Sequence, residues 1–146
     1  MKMFNLITLL SKRLTIFLIT ILITYSCQCN FSTANIQDVK ICTSLEGNVC
    51  NQDNPVIDNS AETIYASCLL KNSVSGTKVK FTWIYYGDTK IKIDDVILDT
   101  GELSGNLELN SNLSRPDNGW PKGVYEVEIQ VQTDNAKPVN KQFTVN

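Results

Sequence analysis

Beyond residue 35, apolar and polar residues alternate along most of this chain. Period two is the signature of a strand with one dry face and one wet face. The clearest run is 77–86, where Val79, Phe81, Trp83 and Tyr85 alternate with Lys78, Lys80 and Thr82. Residues 124–132 repeat the pattern, with Tyr125, Val127, Ile129 and Val131 opposite Glu126, Glu128, Gln130 and Gln132. Further strands are predicted at 36–45, with Val39, Ile41 and Leu45 on one face, and at 63–71, with Ile64, Ala66, Cys68 and Leu70 inward. Short strands follow at 90–93, 96–99 and 103–109, and 138–145 turns Phe143 and Val145 inward. Turn clusters separate them at 46–48, 51–55, 73–76, 86–88, 115–119 and 133–135. No segment sustains a 3.6-residue apolar period. Seven or eight short strands at this spacing predict an all-β, antiparallel two-sheet sandwich.

The first 26 residues follow a different pattern. Lys2, Lys12 and Arg13 are basic, no acidic residue precedes Asp38, and an apolar run of about eleven residues spans 14–24. A secretory signal has this form. A membrane-spanning helix needs roughly 20 apolar residues, and Ser11, Lys12 and Arg13 interrupt this stretch. The expected organisation is a signal peptide at 1–26, a polar tether at 27–35 and a sandwich domain at 36–146. Cleavage would leave one domain's worth of chain. It would also take the formal charge from -2 to -5, because three basic residues leave with the signal.

The end of the signal, Thr24-Tyr25-Ser26-Cys27, resembles the lipobox of bacterial lipoproteins, although Thr24 stands where that family has an aliphatic residue. The resemblance implies that Cys27 carries lipid and holds the protein on a membrane. The other reading is a cut near an ordinary Cys27. The five cysteines are Cys27, Cys29, Cys42, Cys50 and Cys68. An odd count in an exported chain suggests that one is used differently, and export permits disulfides among the rest.

Two landmarks resemble immunoglobulin-type sandwiches. Trp83 lies mid-strand where that family places its strand C tryptophan. Gly123-Val124-Tyr125-Glu126-Val127 resembles the tyrosine corner that opens strand F, with Tyr125 as the corner residue. Cys68 precedes Trp83 at a spacing like that of the strand B cysteine. Val127 stands where the second cysteine would be, so the usual bridge across the sheets is ruled out. Cys68 then pairs elsewhere or stays a buried thiol. Cys42 with Cys68 is one candidate pairing, leaving Cys29 with Cys50. The whole stretch 36–146 looks like small exported bacterial immunoglobulin-like domains. Those motifs mark a fold and transfer no activity. Trp83, Tyr125 and Val127 are the expected structural core.

The chemical inventory is thin. The chain has no His, which rules out Ser-His-Asp and Cys-His arrangements built from its own residues. Cys27-Gln28-Cys29 is too tight a pair for a zinc site, and no Gly-rich phosphate loop with its Lys occurs. No metal or other cofactor is expected. Asp94, Asp95 and Asp99 read as a solvated turn and edge in preference to a calcium loop. Glu126 and Glu128 could serve as an acid pair, but alternation explains them as outward residues. An acidic product with scattered lysines has no footprint for nucleic acid.

Three aromatics are expected at a partner surface: Trp120, Tyr86 and Tyr65. Trp120 could instead cap one end of the core. Lys78, Lys80, Lys90 and Lys92 form a positive stripe if their strands pair, and lysines of this kind protect an edge strand. Asn30-Phe31-Ser32 and Asn112-Leu113-Ser114 are glycosylation sequons. The expectation is a non-enzymatic, exported envelope protein, lipid-anchored at Cys27, that binds an envelope protein or glycan or serves a structural role. The alternative is an inhibitor or accessory subunit working through the loop at 115–121. A hydrolase that depends on Glu126 stands behind both.

Overall fold

The computed structural model describes residues 31–146. The signal segment, Cys27 and Cys29 lie outside the described residues. Eight strands follow in order: β1 (Asn35–Cys42), β2 (Val56–Ile57), β3 (Thr63–Ser73), β4 (Lys78–Tyr86), β5 (Lys90–Asp99), β6 (Gly105–Ser114), β7 (Gly123–Val131) and β8 (Val139–Val145). They form an all-β sandwich of two sheets, one ordered β1-β3-β6 and the other β2-β8-β7-β4-β5. Every pairing is antiparallel except the short parallel contact between β2 and β8.

The inner-face alternation read from β4 and β7 is realised. Val79, Phe81, Trp83, Tyr125, Val127, Ile129 and Val131 are all buried between the sheets. They are also cross-strand partners: Phe81 opposes Ile129, Trp83 opposes Val127 and Tyr85 opposes Tyr125. Opposed residues share a face, so two strands in this register cover one continuous apolar layer. Ile64, Ala66, Cys68 and Leu70 of β3 supply the facing layer. Trp83 sits at the centre, edge-on to Phe143 at 6.2 Å between ring centroids. Its indole N–H donates to Ser111 Oγ at 3.0 Å, so the one polar atom of the ring is satisfied.

Four boundaries differ from the sequence reading. β5 is continuous across Asp94 and Asp95, which pair with Trp83 and Thr82, because the register against β4 shifts between Trp83 and Ile84 and leaves Ile93 as the bulged residue. β6 starts at Gly105 and runs to Ser114, leaving Leu103 exposed in the turn before it. Its polar end is illegible as strand, since Ser111 faces inward as the hydrogen-bond partner of Trp83. β2 follows directly on the turn residues at 51–55; Pro55 C=O accepts the Thr144 N–H, and the chain joins β8. β1 ends at Cys42 and carries a bulge between Gln37 and Lys40, with Asp38 at φ 50°.

Candidate interaction surface

The corner before β7 is built by two tyrosines. Tyr125 Oη donates to Pro121 C=O at 2.8 Å, four residues back. Tyr85 Oη donates to Lys122 C=O at 3.0 Å, and the two rings lie 4.8 Å apart. Burial, with a smaller contribution from the neighbouring Tyr85, pushes the Tyr125 phenol from 10.0 up to about 12. Gly123 has φ 145°, and a Cβ there would meet the Tyr85 ring at 3.1 Å. A glycine is therefore required twice over, by backbone angle and by space.

Trp120 is only 6% exposed and caps one end of the core, the second of the two places expected for it. Its indole N–H donates to Ala61 C=O, and its ring stands edge-on to Tyr125 at 6.3 Å. An indole that finds both an apolar wall and a carbonyl is held inside. Tyr86 and Tyr65 are half-buried. Tyr86 Oη donates to Glu126 Oε1 at 3.1 Å, while the Lys90 ammonium lies 5.5 Å from the Tyr86 ring centroid. Tyr65 stands opposite Cys42 across β1 and β3.

The cysteines pair differently from the expectation. Cys42 is bonded to Cys50, and Cys68 is a free, buried thiol. The reason is the face on which each lies. Ile36 opposes Leu70 and Ile41 opposes Ala66, both on the inner face. The bulge between these pairs shifts the alternation, and Cys42 opposes Tyr65 on the outer face. Cys68, an inner-face residue of β3, is on the other side of the same sheet. Cys50 comes back over the outer face, where its N–H donates to the buried Ser67 Oγ at 2.9 Å, and so Cys29 has no Cys50 to pair with. Closing this short loop contributes about 2.5 kcal/mol in the chain-entropy account. The disulfide fits an oxidising, exported environment. Burial pushes the Cys68 thiol from 9.0 up to about 12, which leaves it protonated and unreactive at neutral pH.

The loop that follows is tied down as well. Asp53 accepts the Ile41 N–H at 3.0 Å and an ion pair from Lys141 of β8. Burial works against its ionisation, but the Lys141 hydrogen bond, the Ile41 N–H and the charges of Lys141 and Lys40 outweigh it and hold the carboxyl below its usual range.

Alternation predicts Glu126 as an outward, wetted residue. It does face outward, yet it is only 4% exposed. Oε1 accepts from Tyr86 Oη and Asn140, and Oε2 accepts from Gln142 at 2.9 Å. Both oxygens are committed to tying β4, β7 and β8 together on the outer face. An alternation pattern assigns a face, and neighbours on that face decide exposure.

What remains open is β5, at the end of the five-stranded sheet. Ile91, Ile93, Val96 and Ile97 are 50%, 42%, 36% and 54% exposed, four of the nine large apolar side chains exposed among the described residues. Ile91 and Ile93 also wall an apolar groove of about 340 Å³ whose floor is Tyr85, Trp120 and Tyr125, with Pro116 and Pro121 at its rim. The expected lysine stripe is broken up here. Lys80 and Lys92 both bridge to Asp95, and Lys78 lies 3.9 Å from Asp99. The sheet end therefore carries both signs of charge. Among the described residues no group of three or more His, Cys, Asp or Glu is placed to hold a metal ion.

No protein-family model matches the chain, and no curated protein matches it. Among solved structures it is similar to the alkylpurine DNA glycosylase AlkC of Pseudomonas fluorescens bound to DNA containing an abasic-site analogue. That likeness has 12% identity and a TM-score of 0.46, and covers 79% of this chain and 31% of the other, so the chain spans less than a third of the glycosylase. It is also similar to the soluble domain of PmoD from a Methylocystis species, at 11% identity and a TM-score of 0.44, covering 82% of this chain and 98% of that domain.

Proposed function

We propose that this chain is an exported, non-enzymatic module with an immunoglobulin-type sandwich, held at a cell envelope through lipid on Cys27, and that it works through its surface. The observation that carries the reading is the Cys42 to Cys50 disulfide, which needs an oxidising compartment and accords with the signal-like first 26 residues. The strand order supports the immunoglobulin type. β1-β3-β6 facing β8-β7-β4-β5 corresponds to strands A-B-E against G-F-C-C′. Trp83 on the C equivalent and the Tyr125 corner on the F equivalent agree with it.

The non-enzymatic part rests on what the reactive groups are doing. Cys68 is a buried thiol with a raised pKa. Glu126 has both oxygens engaged by neutral donors. A general acid or nucleophile needs an accessible atom beside a space for substrate, and neither residue offers one. The inhibitor reading relies on the loop at 115–121. That loop is fastened by Arg115 to Ser60 and Glu62 carbonyls and by the buried Trp120, which favours other surfaces as the working part.

Intact mass of the protein taken from its native membrane tests the reading. The expected product begins at Cys27, carries a diacyl or triacyl addition and has one oxidised cysteine pair. A water-soluble product without lipid mass removes the anchor. A full-length chain with Cys42 and Cys50 reduced removes export altogether.

A further inference from the structure

We infer that β5 is a self-recognition edge: two copies of the chain join β5 to β5, antiparallel, across a twofold axis, and fuse their five-stranded sheets into one. Among the described residues β5 pairs only with β4. Its other side therefore faces no strand along Lys90–Asp99, a length suited to adding one, although the Asp95 N–H is capped by Asp94 Oδ1 at 2.8 Å and that bond must give way. Natural sheets blunt such edges with short strands, lysines, inward-pointing charges, bulges or proline, and β5 has Lys90, Lys92 and a bulge. Against these, it is ten residues long, has no proline and exposes four branched aliphatic side chains.

The charge order selects the occupant. Lys90 and Lys92 lie in the first four residues of β5, and Asp94, Asp95 and Asp99 in the last six. Aligned parallel, two copies would set lysine on lysine and aspartate on aspartate. Aligned antiparallel, the basic end of each copy runs toward the acidic part of the other, and Lys92 can stand opposite Asp95.

The bulge makes the faces agree. Lys90, Lys92, Asp95, Ile97 and Asp99 oppose outer-face residues of β4, while Ile91, Asp94, Val96 and Leu98 oppose inner-face ones. In the register that sets Lys92 against the second copy's Asp95, Lys90 meets Ile97 on the same outer face and Ile91 meets Val96 on the inner face. The twofold axis then passes between Ile93 and Asp94. Each Asp95, already bridged by Lys80 and Lys92 of its own chain, becomes part of a four-lysine, two-aspartate cluster. Opposite charges and apolar pairs directly across an antiparallel ladder both stabilise it.

The test uses the full chain in the membranes of the cell that makes it, with Asp94→Cys to report proximity at the axis and Lys137→Cys as a remote control. Mild oxidation is expected to give a covalent dimer with Asp94→Cys, bonded 94 to 94 by peptide mapping, and none above background with the control. Lys92→Asp in the Asp94→Cys chain should reduce the dimer at least tenfold, and adding Asp95→Lys should restore it. Absence of the dimer in a chain that melts like wild type overturns the inference, as does a dimer indifferent to Lys92→Asp. So does a bond from the introduced thiol to Cys27 or Cys29 of the same chain, which would make the N-terminal segment the occupant, or a bond to a different protein. None of these results bears on the mass of the mature product, so the inference and the proposed function fail separately.

Discussion

β4 has two neighbours, and they are built on opposite rules. On one side β7 matches it over eight consecutive pairs without a break. On the other, β5 matches it with a register shift. β7 buries Tyr125, Val127, Ile129 and Val131, whereas β5 leaves its aliphatic residues largely in solvent. The three-stranded sheet accounts for the difference. It covers β4, β7 and β8 but is too narrow to cover the end of the five-stranded one. A covered strand is selected for strict alternation, because a slip of one residue would turn its apolar face to water. An uncovered strand is free of that constraint, so it tolerates a bulge and a mixed charge pattern.

The comparison is broken most severely from the covered side. Trp83→Ala should cost roughly 3–5 kcal/mol, since it opens a large cavity and leaves Ser111 Oγ without its donor. A thermal melt of that variant equal to wild type would remove Trp83 from the centre of the core. Gly123→Ala comes next, at about 1–3 kcal/mol, from strain at φ 145° and the contact with the Tyr85 ring. Chemical denaturation measures it, and a midpoint unchanged within error would mean that the corner gives way.

Alkali should separate the two sides more gently. The folded Cys68 stays protonated to about pH 12, whereas the unfolded thiol ionises from 9.0. The folded state thus binds the extra proton, and stability present below pH 9 falls as pH rises toward 12. The loss is about 1.4 kcal/mol at pH 10 from this group alone. Tyr125 adds to it above pH 10 for the same reason. Denaturant midpoints for Cys68→Ala should be flatter between pH 9 and 10 than for wild type; identical slopes would remove the thiol from the account. Smallest is Ile97→Thr on β5, at under about 0.5 kcal/mol in a dilute melt. A loss as large as that of Gly123→Ala would show that β5 is packed after all.

The sandwich, its central tryptophan and its tyrosine corner were legible because alternation and turn residues are local signals. Val79 through Tyr85 and Tyr125 through Val131 announce their inner faces in any nine-residue window. Cys42 shows where that stops. Alternation from Ile41 already sets Cys42 on the face opposite Cys68, but nothing local says that Cys50 comes back over that face to meet it. The burial of Trp120 and Glu126 was illegible for a related cause. One is buried and the other hidden by groups far along the chain, Ala61 for the first and Gln142 for the second. What the chain alone determined is which residues can lie on one side of a strand, a property of backbone geometry. Which cysteine meets which, which carboxylate loses its water and which edge stays open were decided only when the sheets paired, because each depends on neighbours that sequence order does not bring together.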